Sequence, residues 1–278
     1  MFKSIAIVGL GLIGGSLGLA IKEKRLAKEV VGVSRRQATI RRALSLGAVD
    51  RVTLDLRKGI KDADLVILTA PVLTIIDIAE RIKDSIKKGA ILTDAGSTKK
   101  DIVKKIEALL PAGVNFIGSH PIAGSEHSGV AYADKDLFKG EHCILTRTAH
   151  ADPKALNKVK RFWSKLGMKV ETMSPEKHDN IISSLSHLPH AVSVALSNSC
   201  AKKDLHLAAG GFKDTTRIAA GSPGLWKDIF LTNRKNIIKD IKVLKKELSK
   251  IELALEKGNS LELLRLFKKA KDTRDSIR

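Results

Sequence analysis

Side chains that can take up protons or bind carboxylates are concentrated in a few short polar stretches of this 278-residue chain. A neutral histidine can accept the proton of a hydroxyl group near neutral pH. An arginine presents a planar fork of donors that fits a carboxylate. Polar residues that follow buried strands lie where open α/β sheets bind their ligands. The stretches are residues 69–71, 94–99, 118–126, 186–190 and 210–217, and Trp226 follows them.

A glycine-rich loop of the form GxGxxG follows the first apolar run of the chain. It contains Gly9, Gly11, Leu12, Ile13 and Gly14. Gly9 allows a tight turn, Gly11 lets the backbone approach a pyrophosphate, and Gly14 permits close packing of helix against strand. The N-terminus of the helix that begins here offers N–H groups and a positive dipole to phosphates. Directly after an N-terminal strand, the motif predicts a dinucleotide site formed by these five residues.

The end of the second apolar run indicates which dinucleotide the loop binds. An NAD enzyme usually carries a carboxylate there, for the ribose hydroxyls. This chain has Ser34, Arg35 and Arg36 instead. Guanidinium groups bind phosphate bidentately, so these residues predict a 2′-phosphate site and a preference for NADP over NAD. The alternative is that the two arginines cap a solvent-facing turn.

Short apolar runs alternate with helical patterns through the first two thirds of the chain. We expect strands at residues 5–8, 30–33, 65–70, 90–93, 115–118 and 142–145, with 169–173 as a further candidate. We expect helices at residues 15–24, 37–46, 73–86 and 100–109. This alternation predicts an α/β Rossmann fold with a doubly wound parallel sheet. Thr69, Ala70 and Pro71, at the end of the third run, are expected to line the cofactor site.

Helical patterns alone follow Met173. Ser174, Pro175 and Glu176 are typical of a helix start, with a capping serine, a proline in the first turn and an acid nearby. The helices expected are residues 176–200, 205–210, 223–256 and 260–278, with a kink near Pro189, which lacks a helical donor. The sequence therefore predicts a dinucleotide-binding domain at residues 1–173 and an all-α C-terminal dimerisation domain at residues 174–278.

The formal net charge of +20 allows two interpretations. Basic surfaces bind nucleic acids, but aromatic residues for base stacking make up only 4% of this chain and its lysines are scattered. We therefore predict a solvated surface that attracts small anions, and no nucleic-acid partner. No run of eighteen apolar residues and no signal peptide is present, which predicts no membrane association. Two cysteines are too few for a disulfide framework, which favours the cytoplasm.

Three of the polar stretches resemble the motifs of a known protein family. They are Ser119-His120-Pro121-Ile122-Ala123-Gly124-Ser125-Glu126, Ser186-His187-Leu188-Pro189-His190 and Gly211-Phe212-Lys213-Asp214-Thr215-Thr216-Arg217. In this order, and together with the glycine loop, they resemble the prephenate/arogenate dehydrogenase family of tyrosine biosynthesis. The resemblance extends over essentially the whole chain.

The resemblance implies roles for individual residues. His120 matches the catalytic histidine, and Ser97 matches a serine that contacts both this histidine and the substrate hydroxyl. Arg217 matches an arginine that binds a substrate carboxylate, and His187 is expected to contact the substrate side chain. The alternatives are a strand-end cap for His120, a helix N-cap for Ser97 and a salt bridge to Asp214 for Arg217.

Three further residues match positions at the substrate site. Ser125 and Glu126 are implied to line its mouth, and Trp226 to close the pocket. The alternatives are a surface acid for Glu126 and a core or dimer-interface aromatic for Trp226. His187 and His190 share a helix face, but no acidic ligand lies near them in the sequence. We therefore predict no metal site.

The implied reaction is the oxidative decarboxylation of prephenate to 4-hydroxyphenylpyruvate, with hydride transfer to NAD(P)+. Arogenate, which would give tyrosine, is the alternative substrate, because no residue here separates a keto from an amino side chain. Other Rossmann enzymes with helical tails, such as β-hydroxyacid dehydrogenases or imino-acid reductases, remain alternatives, as does a basic binding protein without catalysis. A β-hydroxyacid dehydrogenase or an imino-acid reductase would place a catalytic lysine or another polar group in the helical part.

An apolar stripe at helical spacing bears on assembly. It comprises Ile238, Ile241, Leu244, Leu248, Ile251 and Leu255. A stripe of this length needs a partner surface, and the family resemblance implies a homodimer. The alternative is packing within the same chain. Because the sequence ends at Arg278, we expect no regulatory domain after the helices, and no chorismate mutase domain before the dehydrogenase.

Overall fold

The computed structural model describes residues 2–124 and 127–277. Its main sheet has six strands, namely β1 (Phe2–Val8), β2 (Ala27–Val33), β3 (Arg51–Thr53), β4 (Leu65–Leu68), β5 (Ile91–Asp94) and β6 (Asn115–Ile117). They lie in the order β3-β2-β1-β4-β5-β6, and each neighbouring pair is parallel. This is the strand order of the Rossmann fold, so the predicted fold class is confirmed.

Both faces of this sheet are buried, as the continuous apolar runs predict. Along β1, Ile5 and Ile7 pack into one apolar cluster, and Ala6 and Val8 pack into a second cluster. The alternation follows from the two-residue period of a strand. The carboxyl ends of β1, β4 and β5 are thereby held rigidly at one edge, where a ligand site belongs.

Five helices connect these strands. They are α1 (Leu12–Glu23), α2 (Gln37–Ser45), α3 (Leu56–Ile60), α4 (Val72–Ile82) and α5 (Lys100–Leu109). Strand β3 and helix α3 were not predicted from the sequence, because segments of three and five residues carry too little periodicity. Asp55 caps α3 by accepting a hydrogen bond from the backbone N–H of Lys58 at 3.0 Å.

A second, three-stranded sheet follows the first. It contains β7 (Ser119–Ile122), β8 (His142–Thr146) and β9 (Lys169–Met173), and α6 (Pro153–Lys165) joins the last two. Strands β7 and β8 are antiparallel, and β8 and β9 are parallel. The prediction that residues 142–145 belong to the main parallel sheet is wrong, because β8 lies in this second sheet. Only Gly118 separates β6 from β7, and the chain passes from one sheet to the other at this glycine.

Helices make up the chain after β9. They are α7 (Pro175–Ile182), a π-helical segment (Ser183–His187), α8 (Leu188–Ser199), α9 (Gly210–Thr216), α10 (Pro223–Thr232), α11 (Arg234–Glu256) and α12 (Ser260–Asp275). The π segment accounts for the irregularity expected near Pro189, and the backbone N–H of Leu188 bonds to the carbonyl of Ser183. Residues 205–210 do not form the predicted helix, because a 3-10 turn (Lys202–Leu207) and α9 share this region.

The helix predicted over residues 223–256 is interrupted at Asn233. The Asn233 side chain is buried and donates hydrogen bonds elsewhere in the fold, and asparagine is a weak helix former. The chain forms two compact units, residues 1–233 and residues 234–278, and the second contains α11 packed against α12. None of the helices built from described residues combines the length and apolar character that a membrane crossing requires.

Candidate functional site

The glycine loop adopts the geometry that its spacing predicts. Gly9 has a φ of +105°, and a Cβ atom there would lie 2.6 Å from the carbonyl oxygen of Thr69. A Cβ atom on Gly14 would overlap the carbonyl oxygen of Gly9. The Thr69 hydroxyl donates hydrogen bonds to the carbonyls of Val8, at 3.2 Å, and Gly9. Thr69 thus fixes the loop against the end of β4.

The first turn of α1 fits a bound phosphate. Gly11 precedes the helix, and apart from its own neighbours along the chain no described atom lies within 4 Å of the place where its Cβ would be. Among the described residues, no side chain caps this end and no acid lies in the first turn. The helix N–H groups and dipole are therefore available to an anion. Leu12 is half-buried, and Ile13 packs against the core and anchors this turn.

The residues predicted to select the dinucleotide follow β2. Ser34 is half-buried, and its hydroxyl accepts a hydrogen bond from the backbone N–H of Arg36 at 3.4 Å. Arg35 and Arg36 are exposed, and neither forms an ion pair with a residue that the structure describes. Arg36 directly precedes α2. Both guanidinium groups are thus open to solvent at the end of β2.

His120 lies on β7, beside the carboxyl end of β5. Its neighbour Ser119 donates its backbone N–H to the Asp94 carboxylate at 3.1 Å, and Asp94 is the last residue of β5. His120 is 9% exposed. Burial holds the pKa of His120 well below its ordinary value, and nearby His178, Lys99 and His187 lower it further. The ring is therefore neutral near pH 7 and can accept a proton.

A chain of buried hydrogen bonds extends from His120 into α7. Its Nδ1 lies 2.8 Å from His178 Nε2, and His178 Nδ1 lies 2.8 Å from Asp179 Oδ1. Burial lowers the pKa of His178, although the hydrogen bond that His178 donates to Asp179 opposes that shift. Asp179 also accepts the backbone N–H groups of Lys99, at 2.7 Å, and Lys100, at 3.0 Å. The start of α5 therefore fixes the far end of this chain.

A fully buried ion pair lies next to these residues. The Lys99 ammonium group pairs with the Asp94 carboxylate, and neither side chain is exposed. The same ammonium group donates to the carbonyl of Ser119 at 2.7 Å. Burial lowers the pKa of Lys99, and Asp94 opposes that shift. Lys99 thus links the end of β5 to Ser119, the residue that precedes His120.

His187 lies in the π-helical segment and is 1% exposed. Asn233 Nδ2 lies 3.1 Å from His187 Nδ1, and it also donates to the carbonyl of Asp179 at 2.7 Å. This second bond identifies Nδ2 as a donor, so His187 Nδ1 accepts and the ring proton of His187 lies on Nε2. Asn233 thereby joins His187 to the helix that carries His178 and Asp179.

Trp226, on α10, forms an aromatic cluster with the two histidines of the Ser186 to His190 stretch. Its ring stacks on His190 with a centroid distance of 3.5 Å and an interplanar angle of 8°. It meets His187 edge-on at 6.2 Å and is half-buried. The structure thus brings Trp226, His187 and His120 into one connected group of side chains, in which Asn233 and α7 supply the links.

The remaining predicted residues lie in several places. Ser97 is half-buried after β5, and α5 begins at Lys100 with Lys99 before it, so Ser97 is not the helix cap. Arg217 is exposed at the start of a 3-10 turn (Arg217–Ala220), which is fastened to α8 because the backbone N–H of Ala219 donates to Ser193 Oγ at 3.1 Å. Ala70 is half-buried and Pro71 is exposed before α4.

Two predicted residues, Ser125 and Glu126, lie outside the described residues. Within residues 2–124 and 127–277, no group of three or more His, Cys, Asp or Glu side chains is arranged to hold a metal ion.

Four members of this group were not predicted from the sequence, namely His178, Asp179, Lys99 and Asn233. A signal for the first two was present, because His178 and Asp179 lie one helical turn before Ile182, on the buried face of α7. Polar residues on the buried face of a helix indicate hydrogen-bonded partners. Lys99 and Asn233 gave no comparable local signal.

The fold and the glycine loop together define a dinucleotide-binding protein of the Rossmann class. Two family models match the chain, namely "Prephenate dehydrogenase, nucleotide-binding domain" at residues 17–172 and "Prephenate dehydrogenase, dimerization domain" at residues 174–269. The prephenate dehydrogenase of Bacillus subtilis is 37% identical over 284 residues, which cover 100% of this chain and 76% of that protein. The chain belongs to the prephenate dehydrogenase family, a family of oxidoreductases, so the predicted resemblance is confirmed.

Two solved structures are also similar over the full chain. Prephenate dehydrogenase from Aquifex aeolicus, in complex with hydroxyphenyl propionate and NAD+, has a TM-score of 0.93 and 36% identity, and covers 100% of this chain and 99% of that chain. Arogenate dehydrogenase from Synechocystis has a TM-score of 0.85 and 31% identity, and covers 99% of this chain and 100% of that chain. The nucleotide-binding domain and these likenesses support a nicotinamide cofactor for this chain.

Proposed function

We propose that this protein oxidatively decarboxylates prephenate to 4-hydroxyphenylpyruvate and CO2, with a nicotinamide dinucleotide as oxidant. The observation that carries the proposal is His120, a buried histidine beside the carboxyl end of the nucleotide-binding sheet. Its lowered pKa keeps a lone pair available at neutral pH. Similarity over the full chain to a protein named prephenate dehydrogenase supports the choice of substrate.

The chain's own residues supply the base and the binding groups. His120 accepts the proton of the C4 hydroxyl as that group becomes a carbonyl. A nicotinamide held at this site would supply the acceptor for the C4 hydrogen, which leaves as hydride. Loss of the ring carboxylate as CO2 then returns its bonding electrons to the ring, which becomes aromatic. Ser97 contacts the hydroxyl, and Arg217 binds a substrate carboxylate through its guanidinium fork.

The other predicted substrate contacts lie around the aromatic cluster. His187 donates its Nε2 proton toward the substrate side chain, and Trp226 bounds the pocket next to it. Ser125 and Glu126 line the mouth of the site in this proposal. Close fit of these groups excludes water while the hydride moves.

The test of the proposed function is an assay of the purified protein with each substrate and each cofactor. Prephenate should give reduced cofactor and 4-hydroxyphenylpyruvate in equal amounts. Arogenate, the substrate named for the Synechocystis relative, serves as the second arm and would yield tyrosine. Turnover of arogenate but not prephenate would correct the substrate, and turnover of neither would overturn the proposal.

We further propose that the cofactor is NADP in preference to NAD. The helix N-terminus after Gly11 would hold the pyrophosphate, and the exposed Arg35 and Arg36 would bind a 2′-phosphate beside Ser34. No carboxylate follows Val33 to bind the ribose hydroxyls of NAD. Comparison of kcat/KM with the two cofactors tests this preference, and equal values would overturn it.

We also propose that the protein is a cytoplasmic homodimer. Apolar side chains on the surface of the second compact unit support the dimer, among them Ile238 at 51%, Leu248 at 56%, Leu255 at 62% and Leu264 at 65% exposure. This much exposed apolar surface marks an interaction site. The dimerization-domain match covers most of this unit. Light scattering at micromolar concentration should report twice the chain mass of 30.2 kDa, and a monomer would refute the dimer.

A further inference from the structure

His178 and Asp179 form a buried chain behind His120, on the side of its ring that carries Nδ1. His178 Nε2 lies 2.8 Å from His120 Nδ1, and the two rings meet edge to face with centroids 5.0 Å apart. Asp179 Oδ1 lies 2.8 Å from His178 Nδ1. None of the three side chains is more than 9% exposed, so each polar atom depends on these partners.

The carboxylate fixes the position of each ring proton. Asp179 only accepts hydrogen bonds, so His178 Nδ1 carries a proton and donates it. His178 Nε2 in a neutral ring is then an acceptor, and His120 Nδ1 must be the donor. His120 Nε2 therefore keeps the lone pair, because a neutral imidazole holds one ring proton.

Further hydrogen bonds hold the Asp179 carboxylate in one orientation. Its Oδ1 also accepts the backbone N–H of Lys99 at 2.7 Å, and its Oδ2 accepts that of Lys100 at 3.0 Å. The Asp179 carbonyl accepts a third bond, from Asn233 Nδ2 at 2.7 Å. The carboxylate orientation that sets both tautomers is thus fixed by α5.

We propose that His178 and Asp179 are positioning residues for the base His120, which holds its Nε2 lone pair for the substrate hydroxyl and passes its Nδ1 proton to His178 during the reaction. This inference rests on the proposed function for the identity of the hydroxyl. The arrangement of tautomers does not depend on the substrate.

The proton movements balance over the reaction. The C4 hydroxyl proton bonds to His120 Nε2 while the proton on His120 Nδ1 moves to His178 Nε2, and the oxygen electrons form the carbonyl bond as hydride leaves C4. His178 is then an imidazolium ion paired with the Asp179 carboxylate. When CO2 departs and the ring becomes aromatic, the oxygen regains a proton from His120 Nε2, and His178 returns its proton to His120.

The charges around the two rings favour His178 as the site of the transient cation. Lys99 and His187 oppose a positive charge on His120, and no carboxylate among the described residues is in direct contact with that ring. His178 also faces Lys99, but Asp179 is in contact with it and Asp94 adds a second negative charge nearby. A positive charge is more stable where a carboxylate accepts its hydrogen bond.

The first experiment replaces His178 by glutamine, whose amide oxygen can still accept from His120 Nδ1 but cannot take up a proton. We expect kcat to fall on the order of 10- to 100-fold, by analogy with metal-bound histidines, for which loss of the hydrogen-bonding partner costs that much activity. KM for prephenate should stay within a factor of two. The matched control is His142→Gln, which breaks an exposed histidine–carboxylate pair with Glu171 at 3.2 Å and should leave kcat unchanged. A His178→Gln kcat equal to that of the control would overturn the proposal.

The second experiment measures kcat against pH for Asp179→Asn. Removal of the negative charge makes the pair of histidines less basic, so the acidic limb of the profile should move to lower pH. A merely structural loosening would admit water, relieve the burial that lowers the pKa of His120 and move the limb upward toward 6.5. An upward shift, or no shift, would contradict the proposed proton transfer from His120 to His178.

The third measurement needs neither substrate nor a variant of His178 or Asp179. In wild-type protein labelled with 15N-histidine, the spectrum at pH 7.5 should show His120 protonated on Nδ1 and not on Nε2, with its signals identified by their loss in His120→Asn. The opposite tautomer would overturn the inference. If the wild type oxidises neither prephenate nor arogenate while His120 shows the expected tautomer, the proposed function fails and the positioning chain stands.

Discussion

Substitution of Lys99 by methionine removes the ammonium group of the ion pair beneath His120 and keeps most of the side-chain volume. The Asp94 carboxylate would remain buried at 0% exposure, and the donors left to it among the described residues would be the backbone N–H groups of Gly96, at 2.8 Å, and Ser119, at 3.1 Å. The Ser119 carbonyl would lose the 2.7 Å bond from the ammonium group. The variant therefore leaves a buried charge without its counterion.

The expected cost is large. Breaking a buried ion pair by removing one partner destabilises a protein by about 3 to 5 kcal/mol. For a chain of this size, that loss lowers the melting temperature by about 6 to 20 °C. The double variant Asp94→Asn with Lys99→Met removes both charges and should recover at least half of the loss, because neutral replacements of buried pairs are often tolerated.

Urea denaturation followed by circular dichroism measures these free energies of unfolding. The matched control is Lys100→Met, which alters the exposed neighbouring lysine and should change stability by no more than about 0.5 kcal/mol. A cost below about 1 kcal/mol for Lys99→Met would refute the reasoning, since surface ion pairs contribute that little. A double variant less stable than Lys99→Met alone would also refute it.

Three further predictions concern the cofactor and the assembly. Gly14→Ala should weaken dinucleotide binding at least about 10-fold by titration calorimetry, because its Cβ would overlap the Gly9 carbonyl and distort the loop; unchanged affinity would contradict this. Arg35→Asp combined with Arg36→Ala should lower kcat/KM for NADP at least about 10-fold more than for NAD; equal losses would exclude a phosphate contact. Leu248→Glu, which places a charge on an apolar surface, should raise the dimer dissociation constant at least about 10-fold in sedimentation velocity; an unchanged constant would remove Leu248 from the interface.

The parts of the fold that local pattern determines were predictable. A continuous apolar strand followed by Gly9, Gly11 and Gly14 predicts the nucleotide-binding turn, because a Cβ atom on Gly9 or Gly14 would clash with backbone carbonyls and Gly11 leaves room for a phosphate. The second sheet was not predictable in the same way. β7 follows β6 after one residue, and only its pairing with β8, distant in sequence, separates the two sheets. The break at Asn233 likewise depends on contacts with Asp179 and His187.

The residues of the candidate site likewise fall into those that a local motif identifies and those that only distant contacts identify. His120 and His187 stand in recognisable motifs, so their residue types and neighbours suffice to nominate them. The chain has 50 lysine and arginine residues, and no sequence pattern distinguishes Lys99 from the others. Its complete burial was therefore not predictable. The pairing of His178 with His120 joins residues 58 positions apart, which no local pattern encodes.

The proposed function requires neutral His120 to be the base of an oxidative decarboxylation. The most direct test is kcat for prephenate against pH, for wild type and His120→Asn. Because the pKa of His120 lies below its ordinary 6.5, we expect a wild-type kcat that is level from about pH 7 to 8 and falls only at lower pH, as the ring becomes protonated. His120→Asn should bind the dinucleotide normally, lose on the order of 10² to 10⁴ in kcat and lack that acidic limb. A variant that keeps near-wild-type kcat, or the same acidic limb, would show that His120 is not the base.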